Sequence, residues 1–231
     1  MPTPPTRTVV LTLDGVIHDS DLPVQAFARH LTDVVAADQV RPIIAGMRGF
    51  LEGKPDLIPP GIELDSAEDG YQAVEILARA AGISRQQITA AHLASRTDLL
   101  ASAWAVDEAG GLAPLLAEIA GHAGVTVLAE PGDPAAGAVL AAIGIEVDGI
   151  VERLDPGPDP SQVLVIAARW SGTLATAHQA GCRTALVDRF SRVRGTPTYR
   201  AADLSGVLDQ IRGWLRRGHL QDGRPTEAQD R

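Results

Sequence analysis

Val9-Val10-Leu11-Thr12-Leu13-Asp14-Gly15-Val16-Ile17-His18-Asp19-Ser20 is an apolar, β-branched run that stops at an Asp-Gly pair. Such a run reads as a buried strand, and the Asp-Gly break reads as a loop opening at its C-terminal end. Open α/β sheets keep their ligands at that end. Asp14 is therefore the first candidate for chemistry.

Working outward, two patterns follow. From about residue 21 to residue 103 the apolar residues fall at helical spacing, as with Leu22, Ala26, Phe27 and Leu31. Further helical stretches are residues 40–51, residues 71–80 ending at Gly82, and a helix opened by a Ser84/Gln87 capping box. A loop rich in turn formers, including Lys54-Pro55-Asp56 and Pro59-Pro60-Gly61, separates the second from the third. From Glu108 onward, helices alternate with apolar runs. Strands are predicted at 125–129, 149–151, 163–167 and 184–187, with helices at 112–120, 134–143, 172–180 and 204–215. Strands alternating with helices imply crossovers and a parallel sheet covered by helices on both faces. The expected organisation is an α/β core from residues 1–20 and 104–218, an inserted all-helical cap from residues 21–103, and a polar, disordered tail from residues 219–231.

The chain has 231 residues, of which 45% are hydrophobic, and carries a formal charge of −9. That length suits one core carrying an insertion, and the acidic balance disfavours nucleic acid or an anionic membrane as partner. With no apolar run near the length of a span and no apolar export signal at the N-terminus, a cytoplasmic protein is expected. The lone Cys182 excludes an internal disulfide and a cysteine-built metal site, and reads as a buried structural thiol. Lys54 is the only lysine, and there is no asparagine.

The opening stretch resembles the first motif of the haloacid dehalogenase superfamily, whose first strand ends in Asp-x-Asp-Gly-(Val/Thr)-(Leu/Ile). The resemblance extends over most of the chain. Residues 124–145, ending Ala142-Ile143-Gly144-Ile145, are similar to the second strand and the helix after it. Pro158-Asp159-Pro160 is similar to the Lys-Pro-Asp-Pro element, and Ala180-Gly181 followed by an apolar strand and Arg189 is similar to the segment near the end of the core. It implies a Rossmann-like sheet with a helical cap, as in the phosphoglycolate phosphatase and 2-haloacid dehalogenase branches. It also implies an aspartate nucleophile, a serine or threonine and a lysine that hold the substrate's charged group, and acids that complete a magnesium site.

Position by position, this sequence departs from that set. Thr12 stands at the nucleophile position, and Asp14 keeps the second aspartate. Ala129 takes the serine or threonine position, followed by Glu130. Gly157 stands in place of the lysine, and Ala168 and Thr173 in place of the later acids. Because Lys54 lies in the insert, no shift of alignment supplies a core lysine. Magnesium, the family's cofactor, is expected to be lost, and the expected pocket lining is Ala129, Glu130, Gly157, Ala168, Arg169 and Thr173.

Three functional readings stay open. The leading one is a chain without phosphatase or dehalogenase chemistry that binds a small anionic ligand or a protein partner, as a homodimer. The second is an atypical hydrolase of a small phosphate ester or haloacid-like substrate working through Asp14. The third is a structural or regulatory subunit. Glu130 is expected either to face solvent or to pair with Arg169, and Asp19 to be a loop residue. Arg189, Arg192 and Arg194 read as an exposed loop or an anion clamp. His18 and His178 have no acidic partner in sequence reach, and Trp104 and Trp170 read as packing residues, with stacking on a ligand as the alternative for Trp170, beside Arg169 at the mouth.

Overall fold

A computed structural model describes residues 7–222. β1 (Thr8–Thr12) lies in the middle of a six-stranded sheet, paired in parallel with β2 (Gly124–Leu128) on one side and β4 (Val163–Ala167) on the other. β3 (Gly149–Val151) extends the first side; β5 (Arg183–Val187) and β6 (Tyr199–Ala201) extend the second. All five pairings are parallel, and the order is β3-β2-β1-β4-β5-β6. Chain connections run outward in both directions from β1, so the crevice above its C-terminal end is the switch point at which such sheets place ligands.

The middle of the strand, Val9-Val10-Leu11, is apolar and buried because both of its faces are covered. Val9 and Leu11 join one apolar cluster, with Leu112, Leu115 and Ile119 of α5 (Leu112–Ile119), Val139 and Leu140 of α6 (Ala136–Ile143), and Ile211 and Trp214 of α8 (Leu208–Asp222). Val10, pointing the other way, joins Val165, Leu186 and Ala177, the last from α7 (Ala175–Gln179). Alternation along β1 thus builds two half-cores, and burying one such side chain stabilises the fold by about 1.5–3 kcal/mol.

Between β1 and β2 the chain leaves the sheet for α1 (Leu22–Thr32), α2 (Ala37–Leu51), α3 (Gly70–Ala80) and α4 (Arg85–Ala101). This insert has its own apolar cluster, centred on Phe27, Leu31, Ile43, Phe50, Val74 and Leu77. α4 opens with the capping box read from the sequence: Gln87 N donates to Ser84 Oγ at 3.3 Å, and Ser84 N donates to Gln87 Oε1 at 3.1 Å.

Four expectations need correction. β6 is absent from the sequence reading: its Tyr-Arg-Ala sequence has no apolar run and sits at the sheet edge, where one face needs little cover. The helix expected at 172–180 is confined to α7, because Trp170–Leu174 forms a wide, irregular turn with Ser171 extended and Gly172 at φ +77°. The closing helix starts at Leu208, after a short turn at Ser205–Val207, and continues through Asp222. Residues 219–222 are therefore helical, and the rest of the expected tail, residues 223–231, lies outside the described residues. Trp104 is not a packing residue; it is 82% exposed beside the end of α4.

Candidate functional site

The site starts from the loop that leaves β1. Gly15 adopts φ +76°, and a Cβ there would come within 2.5 Å of Ala168 Cβ, so only glycine lets this loop settle onto the end of β4. Backbone bonds from Gly15 N to His18 O (2.7 Å) and from Ile17 N to Leu13 O (3.0 Å) close it tightly. The turn brings His18, four residues on and only 1% exposed, back over Asp14, with Nε2 3.2 Å from Asp14 Oδ1. This corrects the expectation that His18 lacks an acidic partner in sequence reach: its partner is the aspartate just upstream.

Asp14 faces a guanidinium supplied by the insert. Arg96 Nη1, from α4, donates to both Asp14 oxygens at 3.0 and 3.1 Å. The same guanidinium grips Asp133, in the loop after β2, through Nε (3.2 Å) and Nη2 (2.6 Å). Tyr71 Oη, from α3, donates to Asp14 Oδ1 at 3.2 Å and accepts from Arg96 Nη1 at 3.1 Å. Arg96 is 3% exposed and Asp133 2%. One buried cation therefore joins two carboxylates from different core loops to the insert, meeting Asp133 with the two-nitrogen bidentate fork that makes such contacts strong and Asp14 through one shared nitrogen. Burial by itself raises the Asp14 carboxyl's pKa, but the Arg96 charge and the His18 ring outweigh it and hold it well below the usual carboxylate range. Burial and the Asp14 charge push the Tyr71 phenol well up, so Tyr71 serves as a neutral donor.

A second network stands beside the first. Glu130 accepts from Arg169 Nη2 at 3.0 Å and lies 2.8 Å from His92 Nε2 of α4. Arg169 Nε in turn approaches Asp69 Oδ2 at 3.2 Å, and Asp69 caps α3 by accepting from Gln72 N at 2.9 Å. Ser171 donates from both N and Oγ to Glu68 Oε2, each at 2.9 Å. The hydrogen bond with His92, aided by Arg169 and opposed by burial, lowers the Glu130 pKa to about 2.

That depression fixes a sign. Glu130 ionises more readily in the folded chain, so its contribution is complete above about pH 4.5 and disappears as pH falls towards 2. With 45% of the side chain exposed, solvent screens the pairs, and Glu130→Gln is expected to cost only about 0.5–1 kcal/mol at pH 7. The gap between wild type and variant should close near pH 2.5. Urea midpoints at the two pH values check this, and a gap that persists in acid would contradict it.

Of the residues singled out from the sequence, Thr12, Asp14, Ala129, Glu130, Ala168, Arg169 and Thr173 all line one cavity of about 440 Å³ at the C-terminal ends of β1, β2 and β4. Gly157 is not among them. It sits at φ +63° in an exposed turn after β3, where its N–H donates to Asp155 Oδ1 at 2.9 Å, so this loop turns on itself instead of entering the crevice. Thr12 Oγ1 is buried without a hydrogen-bond partner among the described residues. The arginines after β5 diverge: Arg189 forks onto Asp21 at 2.8 and 3.0 Å, while Arg192 reaches Leu64 O and lies over the Phe50 ring. Asp19 accepts from Arg189 through its backbone carbonyl at 3.1 Å. Trp170 packs on Gly195 and against His178, outside the cavity lining. Cys182 is buried, and burial pushes its thiol pKa up.

Sequence reasoning passes over Arg96, Asp133, Tyr71 and His92. For Arg96 a signal exists: it falls on the face of α4 that buries Ile88, Ala91, Ser95 and Leu99, where an arginine needs a partner.

The residues do not fit magnesium. Such an ion asks for several free hard-oxygen ligands, but both candidate carboxylates here are already bound by Arg96, and Thr12 adds one hydroxyl. Among the described residues, no group of three or more His, Cys, Asp or Glu is placed to hold a metal.

No protein-family model matches the chain, and no curated protein sequence matches it. Solved structures do. The HAD-hydrolase YfnB from Bacillus subtilis, in a magnesium-bound form, matches with TM-score 0.54 and 16% identity, covering 92% of this chain and 99% of that one. CbbY from Rhodobacter sphaeroides, in complex with phosphate, matches with TM-score 0.54 and 16% identity over 88% and 99% of the two chains. The haloacid dehalogenase-like protein SP0104 from Streptococcus pneumoniae gives TM-score 0.54 and 15% identity over 89% and 98%. At these identities the likeness is one of architecture, and the fold of this chain is that of the haloacid dehalogenase superfamily.

Proposed function

We propose that this chain is a haloacid dehalogenase-fold protein that binds a small molecule without hydrolysing it, and that its helical insert serves as a cap held closed over the core. The carrying observation is Arg96. A single guanidinium, contributed by the insert, occupies the space between Asp14 and Asp133 and takes both oxygens of each. Covalent phosphoryl or acyl transfer through a carboxylate needs a free, correctly aimed oxygen. Here the nucleophile position holds the hydroxyl of Thr12, with no base beside it, and Asp14 is too acidic and too fully engaged to take up a proton at neutral pH. The competing hydrolase reading depends on Asp14 and draws no support from this geometry.

The space left for a ligand supports binding. Two cavities of about 410 and 440 Å³ flank Asp14, each in the size range of small-molecule sites. No helix among the described residues is long and apolar enough to cross a membrane.

The test is turnover of p-nitrophenyl phosphate with and without magnesium. The expected rate equals that of buffer, for wild type and for Asp14→Ala alike. A magnesium-dependent rate that Asp14→Ala abolishes would restore the hydrolase reading.

A further inference from the structure

The cavity on the insert side of Asp14 has a chemistry of its own. Its body is apolar, formed by Val24, Leu51 and Tyr71 of the insert with Val187, Phe190 and Leu204 of the core. Its polar groups are almost all of one sign. Asp14, Asp19, Asp21, Glu68, Asp69 and Asp203 line it, against a single basic side chain, Arg189.

Pairing does not cancel this imbalance. Arg189 is spent on Asp21 in a two-pronged contact. Arg96 takes Asp14, and Arg169 takes Asp69. Asp19, Glu68 and Asp203 have no cationic partner among the described residues: Glu68 is met only by Ser171, and Asp203 only by the N–H of Gly206. Glu68 also shares a neighbouring pocket with Arg192 and Arg194, so an anion entering this cavity meets chiefly the unpaired carboxylates of Asp19 and Asp203 at its exposed rim. A cation on an apolar body meets the reverse.

Resting on the reading of the chain as a non-hydrolytic binder, we infer that this cavity takes an organic ammonium ion: an apolar body of small-molecule size carrying a positively charged amine. This is opposite in sign to the small anion expected from the family resemblance. The ammonium sits towards Asp19 and Asp203 at the rim, and the apolar body lies against Val24, Leu51 and Phe190.

The probe is n-hexylammonium, compared with hexanoate and hexanol by calorimetry and thermal shift on the full chain. Hexylammonium is expected to bind and raise the melting temperature, hexanol to bind more weakly, and hexanoate to give no heat. Asp19→Asn with Asp203→Asn changes two exposed side chains, and the amide oxygen introduced by Asp203→Asn can still accept from Gly206 N. The pair is expected to weaken hexylammonium at least roughly threefold and leave hexanol unchanged. Gly110 lines the cavity with open space where a Cβ would go, so Gly110→Leu is expected to abolish binding of both. Hexylammonium that binds no better than hexanol, or no worse in the double variant, overturns the inference. Turnover of p-nitrophenyl phosphate in the same preparation would instead overturn the non-hydrolytic reading, so the two failures are told apart.

Discussion

Arg96→Met is expected to lower the folding stability by about 3–5 kcal/mol, because methionine keeps most of the volume but leaves the buried Asp133 and the partly buried Asp14 without the guanidinium they share. At roughly 2–4 °C per kcal/mol for a chain of this size, the melting temperature should fall by about 6–20 °C. The loss belongs to the broken pairing more than to the pair's intrinsic strength. Replacing all three members, as Arg96→Met with Asp14→Asn and Asp133→Asn, should therefore recover a large part of it. The loss is also pH-dependent. In wild type Asp14 ionises below the usual range, so its contribution is present above about pH 4 and is lost progressively as pH falls below that. In Arg96→Met the guanidinium no longer lowers that pKa and only His18 still opposes burial, so the gap between wild type and variant should be full at pH 7 and narrower at pH 3. Equilibrium unfolding at the two pH values measures this. A loss below about 1 kcal/mol at pH 7 would mean that the network is no more than a surface salt bridge in its effect.

The parts of this fold that are legible in the sequence are those where one local rule agrees with the global structure. The central residues of β1, Val9 to Leu11, are apolar without a break because each face of the sheet has its own helices, and the change from helical spacing to alternating strands after Glu108 marks the return of the chain to the sheet. Ser84 and Gln87 announce a helix start through chemistry that needs nothing beyond four residues. β6 is not legible, since three residues with an arginine in the middle carry no periodicity and depend on β5 for their conformation.

The site divides along the same line. Residues that follow directly from a strand end, Thr12, Ala129, Glu130, Ala168 and Arg169, come together because parallel register carries their positions to one edge. Gly157 belongs to a longer loop, where spacing along the chain says nothing about direction, and it turns away. Arg96 lies 82 positions from Asp14 in the chain, and only the packing of α4 against the core makes them neighbours. An arginine in a row of buried residues implies that a partner exists; it does not say which.

If Arg96 holds the place of a metal ion, removing it should open that place to one. Wild-type stability is expected to be indifferent to magnesium from zero to millimolar concentrations. Thr12→Asp alone should stay indifferent, because the guanidinium still claims Asp14 and Asp133. In Thr12→Asp with Arg96→Ala, three carboxylates line one cavity with no guanidinium between them, an arrangement that repels itself until a hard divalent ion enters. Its stability should then rise with added magnesium, by about 2.7 kcal/mol at a hundred times the dissociation constant, and fall back with chelator. Ala168 is left unchanged because Gly15 packs directly on it. A flat titration of the double variant would mean that these strand ends do not frame a metal seat. A magnesium response already present in Thr12→Asp alone would mean that Arg96 does not occupy it. Either result would remove the ground for treating this guanidinium as standing where a metal ion would sit.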